Sequence, residues 1–299
     1  MNLLKNSFVL SEAAICERLR QIDGVELHPT LFDAPLIYDA RASKVLAGIY
    51  RQYIDIAREF EVPILIAAPT WRLDAGRVAA ADVPASINSD AVDFIQSVRD
   101  DSGYEDVFMA GLLAPKNDCY DPSVALSANA AELFHSAQAS ELGQTSLDCL
   151  VAQTMPSVTE AEGMARAMIS TGLPSVVSFC INRNGEVMDG TPLGEAIDLL
   201  DAKLDGALLG YKVNCSHPSF VDAESMSARA LSRLIGINAN ASSKDHSELE
   251  QMEETAEDSL EDWVDAMLRL NRDYGVKVLG GCCGTDDRYL RAICEEVLG

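Results

Sequence analysis

Residues 147–180 read LDCLVAQTMPSVTEAEGMARAMISTGLPSVVSFC. Two short apolar runs, 147–152 and 175–180, are continuous rather than alternating in polarity. Parallel strands have this character when helices cover one face and packed side chains fill the other. Between the runs, 158–171 is amphipathic and rich in good helix formers. Ser157, with Glu160 three residues on, resembles a capping box that would open that helix. The stretch is therefore one strand-helix-strand unit.

The same rhythm extends in both directions. Strand-like runs are expected at 7–10, 63–68, 107–113, 147–152, 175–180, 206–213, 234–239 and 276–280, and helical stretches at 42–60, 86–100, 122–142, 158–171, 218–232, 259–274 and 286–297. Thr191-Pro192 offers a cap followed by proline in the first turn of a further helix. A chain of 299 residues, 48% hydrophobic, has material for one large α/β barrel or two smaller domains. Eight strand-helix units, with no glycine-rich first turn, favour a single (β/α)8 TIM barrel over residues 1–299 rather than an open doubly wound sheet. In such a barrel the functional side chains gather at the C-terminal ends of the strands. Residues 240–259, NASSKDHSELEQMEETAEDS, break the rhythm. They are polar and acidic, and are expected to form a loop insertion that either covers the site or is simply solvated.

The chain carries 23 basic and 47 acidic side chains, a formal net charge of −24. Such a surface repels polyanions, which argues against nucleic acid and anionic membranes as partners. No apolar run approaches the roughly 20 residues needed to cross a bilayer, and the first residues turn polar too early for a signal peptide. A cytoplasmic protein is expected. Eight cysteines are too sparse for a disulfide scaffold, so their positions carry the information.

Gly280-Gly281-Cys282-Cys283-Gly284-Thr285 follows the apolar run VKVL and precedes a helical stretch, which sets two adjacent thiols where a strand ends. Flanking glycines let the chain turn sharply enough for both sulfurs to face one centre. A vicinal disulfide is the alternative. Tyr211-Lys212-Val213-Asn214-Cys215 places another thiol at the end of the sixth strand, two strands away around a barrel. Cys215, Cys282 and Cys283 together supply three soft ligands. Three protein ligands on Zn2+ leave a fourth position for substrate, the catalytic pattern rather than the structural one.

At these residues the chain resembles the homocysteine S-methyltransferase family, which is marked by an Asn-Cys after one strand and by Gly-Gly-Cys-Cys-Gly-Thr near the C-terminus. Gln153-Thr154-Met155-Pro156-Ser157 with Glu160-Ala161 is similar to the family's fourth-strand segment. Ser178-Phe179 followed by Asp189-Gly190-Thr191 is similar to its fifth. The likeness is clear from residue 147 onward and rests before that on Tyr53 and residues 64–68. It implies a zinc-dependent enzyme whose partners are a small-molecule thiol, homocysteine in the family, and a methyl donor, with methionine as product.

Two family features are replaced. The Asp-Gly pair of the first strand-loop gives way to Leu10-Ser11-Glu12-Ala13, and the glutamate ending the fourth strand becomes Gln153. Gln153, Asn214, Glu12 and Asn238 are the candidate substrate contacts, with Glu12 able to restore a lost negative charge. The replacements leave open a different thiol acceptor, or a zinc-binding barrel without catalysis.

Overall fold

The computed structural model describes residues 3–245 and 258–298. Eight parallel strands close a barrel in sequence order: β1 Val9–Ser11, β2 Ile64–Ala68, β3 Val107–Leu113, β4 Cys149–Met155, β5 Ser175–Phe179, β6 Gly210–Ser216, β7 Leu234–Ala239 and β8 Val278–Gly281. The (β/α)8 expectation is met. Strand side chains alternate between two apolar layers. Leu10, Ile64, Ile66, Tyr211, Val213 and Leu279 pack outward on the helices, while Val9, Leu65, Ala67, Ala110, Val151 and Val176 fill the interior. Burial on both faces explains why these runs do not alternate in polarity. No helix among the described residues is long and apolar enough to cross a membrane.

Several boundaries differ from expectation. The sixth strand begins at Gly210 rather than at 206, because Gly206 turns with φ +67° at the end of the preceding helix. It then runs on through Cys215 to Ser216. The expected helix 122–142 divides into a 3-10 turn, Pro122–Val124, and a helix, Ala128–Leu142. Likewise 218–232 divides into Pro218–Phe220 and Ala228–Arg233. Thr191 does not cap the next helix, Leu193–Lys203; Pro192 takes the N-cap position, in extended conformation.

The capping box at Ser157 is half made. Ser157 Oγ accepts from the Glu160 N–H at 3.2 Å. The Glu160 carboxylate instead accepts from the N–H groups of Lys116 (2.8 Å) and Leu126 (3.0 Å), tying down the loop after β3. The polar insertion expected at 240–259 falls largely at 246–257, outside the described residues. Its described ends meet at the mouth, where Ser243 N donates to the Asp258 carboxylate and Asp258 N to Ala241 O.

Candidate metal centre

The C-terminal end of β6 does not stay regular. Cys215 has φ 51°, and the pairing of β6 with β7 shifts between Asn214 and Ser216. β4 does the same at Thr154, φ 60°, where its pairing with β5 shifts. A non-glycine residue in this region costs of order 1–3 kcal/mol and persists only where its surroundings enforce it. Asn214 does the enforcing. Its Oδ1 accepts from Thr154 N (2.9 Å) and Ser178 Oγ (2.6 Å), and its Nδ2 donates to Thr154 Oγ1 (2.7 Å) and Cys215 Sγ (3.2 Å). Both ends of the amide are used within the barrel wall, and the outcome is a fixed Cys215 sulfur.

Beyond β8, hydrogen bonds hold the Cys-Cys backbone on both sides. Gly281 N donates to Glu12 O, Cys282 N to Ala239 O at 2.7 Å, and Cys283 N to Asn240 Oδ1 at 3.2 Å. Thr285 Oγ1 closes the turn on Cys282 O at 2.6 Å. A Cβ on Gly281 would lie 2.0 Å from that hydroxyl oxygen, so glycine is required for the turn to close. Thr285 is thus a turn-closing residue, and the helix that follows starts at Asp287.

The three sulfurs converge. Sγ atoms of Cys215, Cys282 and Cys283 all lie within 4.8 Å of one another, and Cys215 to Cys282 is 2.9 Å. Tetrahedral zinc with Zn–S bonds near 2.3 Å spaces its sulfurs roughly 3.8 Å apart, a spacing between the 2.9 Å of the closest pair and the 4.8 Å limit of the cluster. All eight cysteines are free thiols, Cys282 and Cys283 included. Cys215 is buried, Cys282 intermediate and Cys283 exposed, so the cluster faces the mouth. Hydrogen bonding to Cys215, ahead of burial, pushes the Cys282 and Cys283 thiols well above their usual range. A cation among them would reverse that balance, and an all-thiol donor set suits a soft or borderline ion such as zinc.

Of the other expected contacts, Glu12, Gln153 and Asn238 line one small cavity inside the barrel, with Ser11, Ala67 and Lys212. Glu12 Oε2 accepts from Ala67 N at 2.8 Å, and burial pushes its carboxyl up to about 8. Gln153 takes part in the wall through its carbonyl, which accepts from Trp71 Nε1 at 3.3 Å. Asn238 Nδ2 donates to Ser11 Oγ, Glu12 O and Gly281 O, lacing β1 to β8. Asn214 stands apart from this group, in the wall beside Cys215.

Three residues near the site do not stand out as functional at the level of sequence. Lys212, inside an apolar strand and three residues before Cys215, is 4% exposed and points into the cavity. A lysine in the middle of a buried strand was the available signal. Cys119 and Tyr120, from the loop after β3, come near the thiols. Burial and then the charge of Cys215 push Cys119 up to about 12 and raise Tyr120 as well. His217 is turned away, its Nε2 3.4 Å from the Asp258 carboxylate.

A family model described as homocysteine S-methyltransferase matches residues 12–297. A selenocysteine Se-methyltransferase of Brassica oleracea var. italica is 27% identical over 169 residues, which are 55% of this chain and 48% of that protein. Homocysteine S-methyltransferase 3 of Arabidopsis thaliana is 26% identical over 165 residues, 54% of this chain and 47% of its own. The matched stretch spans about half the length of these relatives. Among solved structures, the metallated form of the homocysteine methyltransferase MmuM of Escherichia coli superposes with a TM-score of 0.73 at 17% identity, covering 98% of this chain and 97% of that one. At that identity the likeness establishes a common fold.

Proposed function

Since the chain belongs to the homocysteine S-methyltransferase family, we propose that it is a zinc-dependent thiol methyltransferase that converts homocysteine to methionine. The observation that carries this is the convergence of three thiols at the barrel mouth. Cys215, Cys282 and Cys283 would hold the ion. Zinc, when bound, would keep a substrate thiol of ordinary pKa about 8.5 ionised near neutral pH. A single catalytic domain, 1–299, would serve this chemistry, the described ends of its polar insertion meeting beside the mouth at Ser243 and Asp258.

The chain's own residues account for the rest. Three cysteine thiolates give the site net negative charge, so a substrate sulfur held there keeps its electron density. Asn214 fixes the direction of the Cys215 sulfur, and the exposed Cys283 leaves the approach from the mouth clear. The substrate thiol gives its proton to solvent. Its sulfur lone pair forms the new S–CH3 bond while the methyl carbon's bond to a sulfonium or ammonium donor breaks. The breaking pair leaves with a neutral sulfide or amine, so no general acid is needed. Gln153 and Glu12 face the amino-acid end of the acceptor, where an arriving ammonium would favour the ionised form of Glu12.

X-ray absorption on the zinc-loaded protein tests the proposal. Three sulfur neighbours should become four when homocysteine is added, and methyl transfer should disappear in Cys282→Ser. An unchanged metal environment, with no turnover from S-methylmethionine, S-adenosylmethionine, betaine or methylated folate, would sink it. Gln153 favours a second acceptor, because a neutral amide cannot form the ion pair a glutamate offers to an ammonium. Turnover of another thiol but not of homocysteine would select that alternative.

A further inference from the structure

Lys212 is a buried cation that the chemistry above leaves unused. It sits on β6 with its side chain inside the barrel, 4% exposed, and its ammonium donates to Asn238 Oδ1. An ammonium has three N–H donors. No other hydrogen bond and no ion pair reaches this one among the described residues. Glu12 faces the same cavity but makes no ion pair with it, and its carboxyl, raised by burial to about 8, attracts the ammonium only once ionised. Taking an ammonium out of water costs several kcal/mol unless it is paired and its donors are satisfied. The lysine is therefore incomplete as it stands.

The neighbouring strands are shaped to keep it there. Gly236 is paired with Lys212 across β6 and β7; a Cβ there would collide first with Val278 Cβ and its carbonyl oxygen on β8, both at 2.7 Å, and would also press on Lys212 Cε at 3.3 Å. Gly280 is paired with Asn238 across β7 and β8, and its Cβ would collide with Asn238 Nδ2 at 2.8 Å and with Glu12 O at 2.7 Å. Gly280 thus leaves room for the Asn238 amide, and Gly236, whose place is set mainly by the close approach of β8, adds no side chain over Lys212. Asn238 also donates to Gly281 O, the carbonyl directly before Cys282. One amide side chain therefore separates the ammonium from the thiol-bearing turn.

We propose that Lys212 is the anchor for a carboxylate on the acceptor thiol, so that the substrates of this site are thiol acids whose sulfur reaches the cysteine cluster while the carboxylate enters the cavity below. The cavity beside Lys212 offers about 20 Å³, enough for a small group such as a carboxylate oxygen. Burial brings the lysine down to about 8, so it remains largely charged near neutral pH, and an anion beside it would strengthen that charge. The inference rests on the thiol-methyltransferase assignment above and names what its acceptor must carry.

The test uses three thiols on the zinc-loaded protein: homocysteine, 4-mercaptobutanoate, which lacks the ammonium, and 3-aminopropane-1-thiol, which lacks the carboxylate. Lys212→Met should raise KM for the first two by about 10- to 100-fold, the range of a lost charge-assisted hydrogen bond, and leave the third unchanged. The unchanged third thiol shows that the variant's site is intact. Lys212→Gln, which keeps a donor but no charge, should give the same selective loss, so the outcome does not depend on one variant folding. Calorimetric binding of 4-mercaptobutanoate provides a readout without turnover. Equal KM changes for all three thiols, or none, would overturn the anchor while leaving methyl transfer in place. Binding of 4-mercaptobutanoate that is lost in Lys212→Met, with no thiol methylated by the unaltered protein, would overturn methyl transfer while leaving the anchor in place.

Discussion

On the arc of the mouth from β6 to β8, the backbone itself is committed to the cysteines. Cys215 is held at φ 51°, Cys282 and Cys283 are pinned by Ala239 and Asn240, and Gly281 leaves no room for a side chain. On the arc from β1 to β4, Glu12 and Gln153 present single side chains to a cavity. A change on the first arc moves several atoms that must meet at one point. A change on the second alters one contact. On the proposed function, the molecule could therefore keep its thiol chemistry while its grip on the rest of the acceptor is rewritten; the replaced family residues all lie on the second arc.

Asn214→Ala strikes the committed arc without touching a sulfur. It removes the donor to Cys215 Sγ and leaves Thr154 N–H and Ser178 Oγ buried without their acceptor. Zinc affinity, measured by competition with a chelator, should fall about 10- to 100-fold, as for the loss of a residue supporting a ligand. Each orphaned group should also cost about 1–3 kcal/mol in denaturant unfolding. Unchanged zinc affinity would break the contrast between the arcs, because the thiol geometry would then not depend on its wall.

This difference also decides what could be read from the sequence. Strand rhythm was legible because burial on both faces writes continuous apolar runs. The cysteine set was legible because glycines on both sides of two adjacent thiols free the backbone to turn both sulfurs toward one centre. Asn214 and Asn238 were visible as residues, but not their work. One clamps two irregular strands and the other laces β1 to β8, through partners 26–227 positions apart where they leave their own strand. Lys212 was hidden in an apolar run because its partner, Asn238, stands on the next strand. The splitting of 122–142 likewise depends on Glu160, a carboxylate supplied by a distant helix.

Glu12→Gln probes the second arc through stability. Burial raises the Glu12 carboxyl from about 4.5 to about 8, so across that window the folded chain holds a proton that the unfolded chain has released. Stability should fall as pH rises from about 4.5 to 8, with a slope of up to about 1.4 kcal/mol per pH unit. Lys212, lowered by burial from 10.5 to about 8, gives the opposite slope above pH 8, where the unfolded chain binds the extra proton. Urea midpoints from pH 5 to 10 should show both limbs in the parent chain. Only the rising limb should survive in Glu12→Gln, and persistence of the falling limb would assign it to another group.

Gln153→Leu should have the smallest effect and draws the contrast most sharply. The Gln153 side chain lines the cavity with no hydrogen bond of its own among the described residues, so its loss leaves no buried partner unsatisfied. If Gln153 contacts the acceptor as proposed, what disappears is one neutral hydrogen bond, worth about 0.5–1.5 kcal/mol, or roughly 2- to 10-fold in KM. Zinc affinity and the sulfur environment seen by X-ray absorption should stay as they were. A fall in zinc affinity here would mean that the two arcs are mechanically one, and that acceptor preference cannot change without disturbing the thiol cluster. A change confined to KM would mean that the cavity wall is free to vary beneath a fixed metal site.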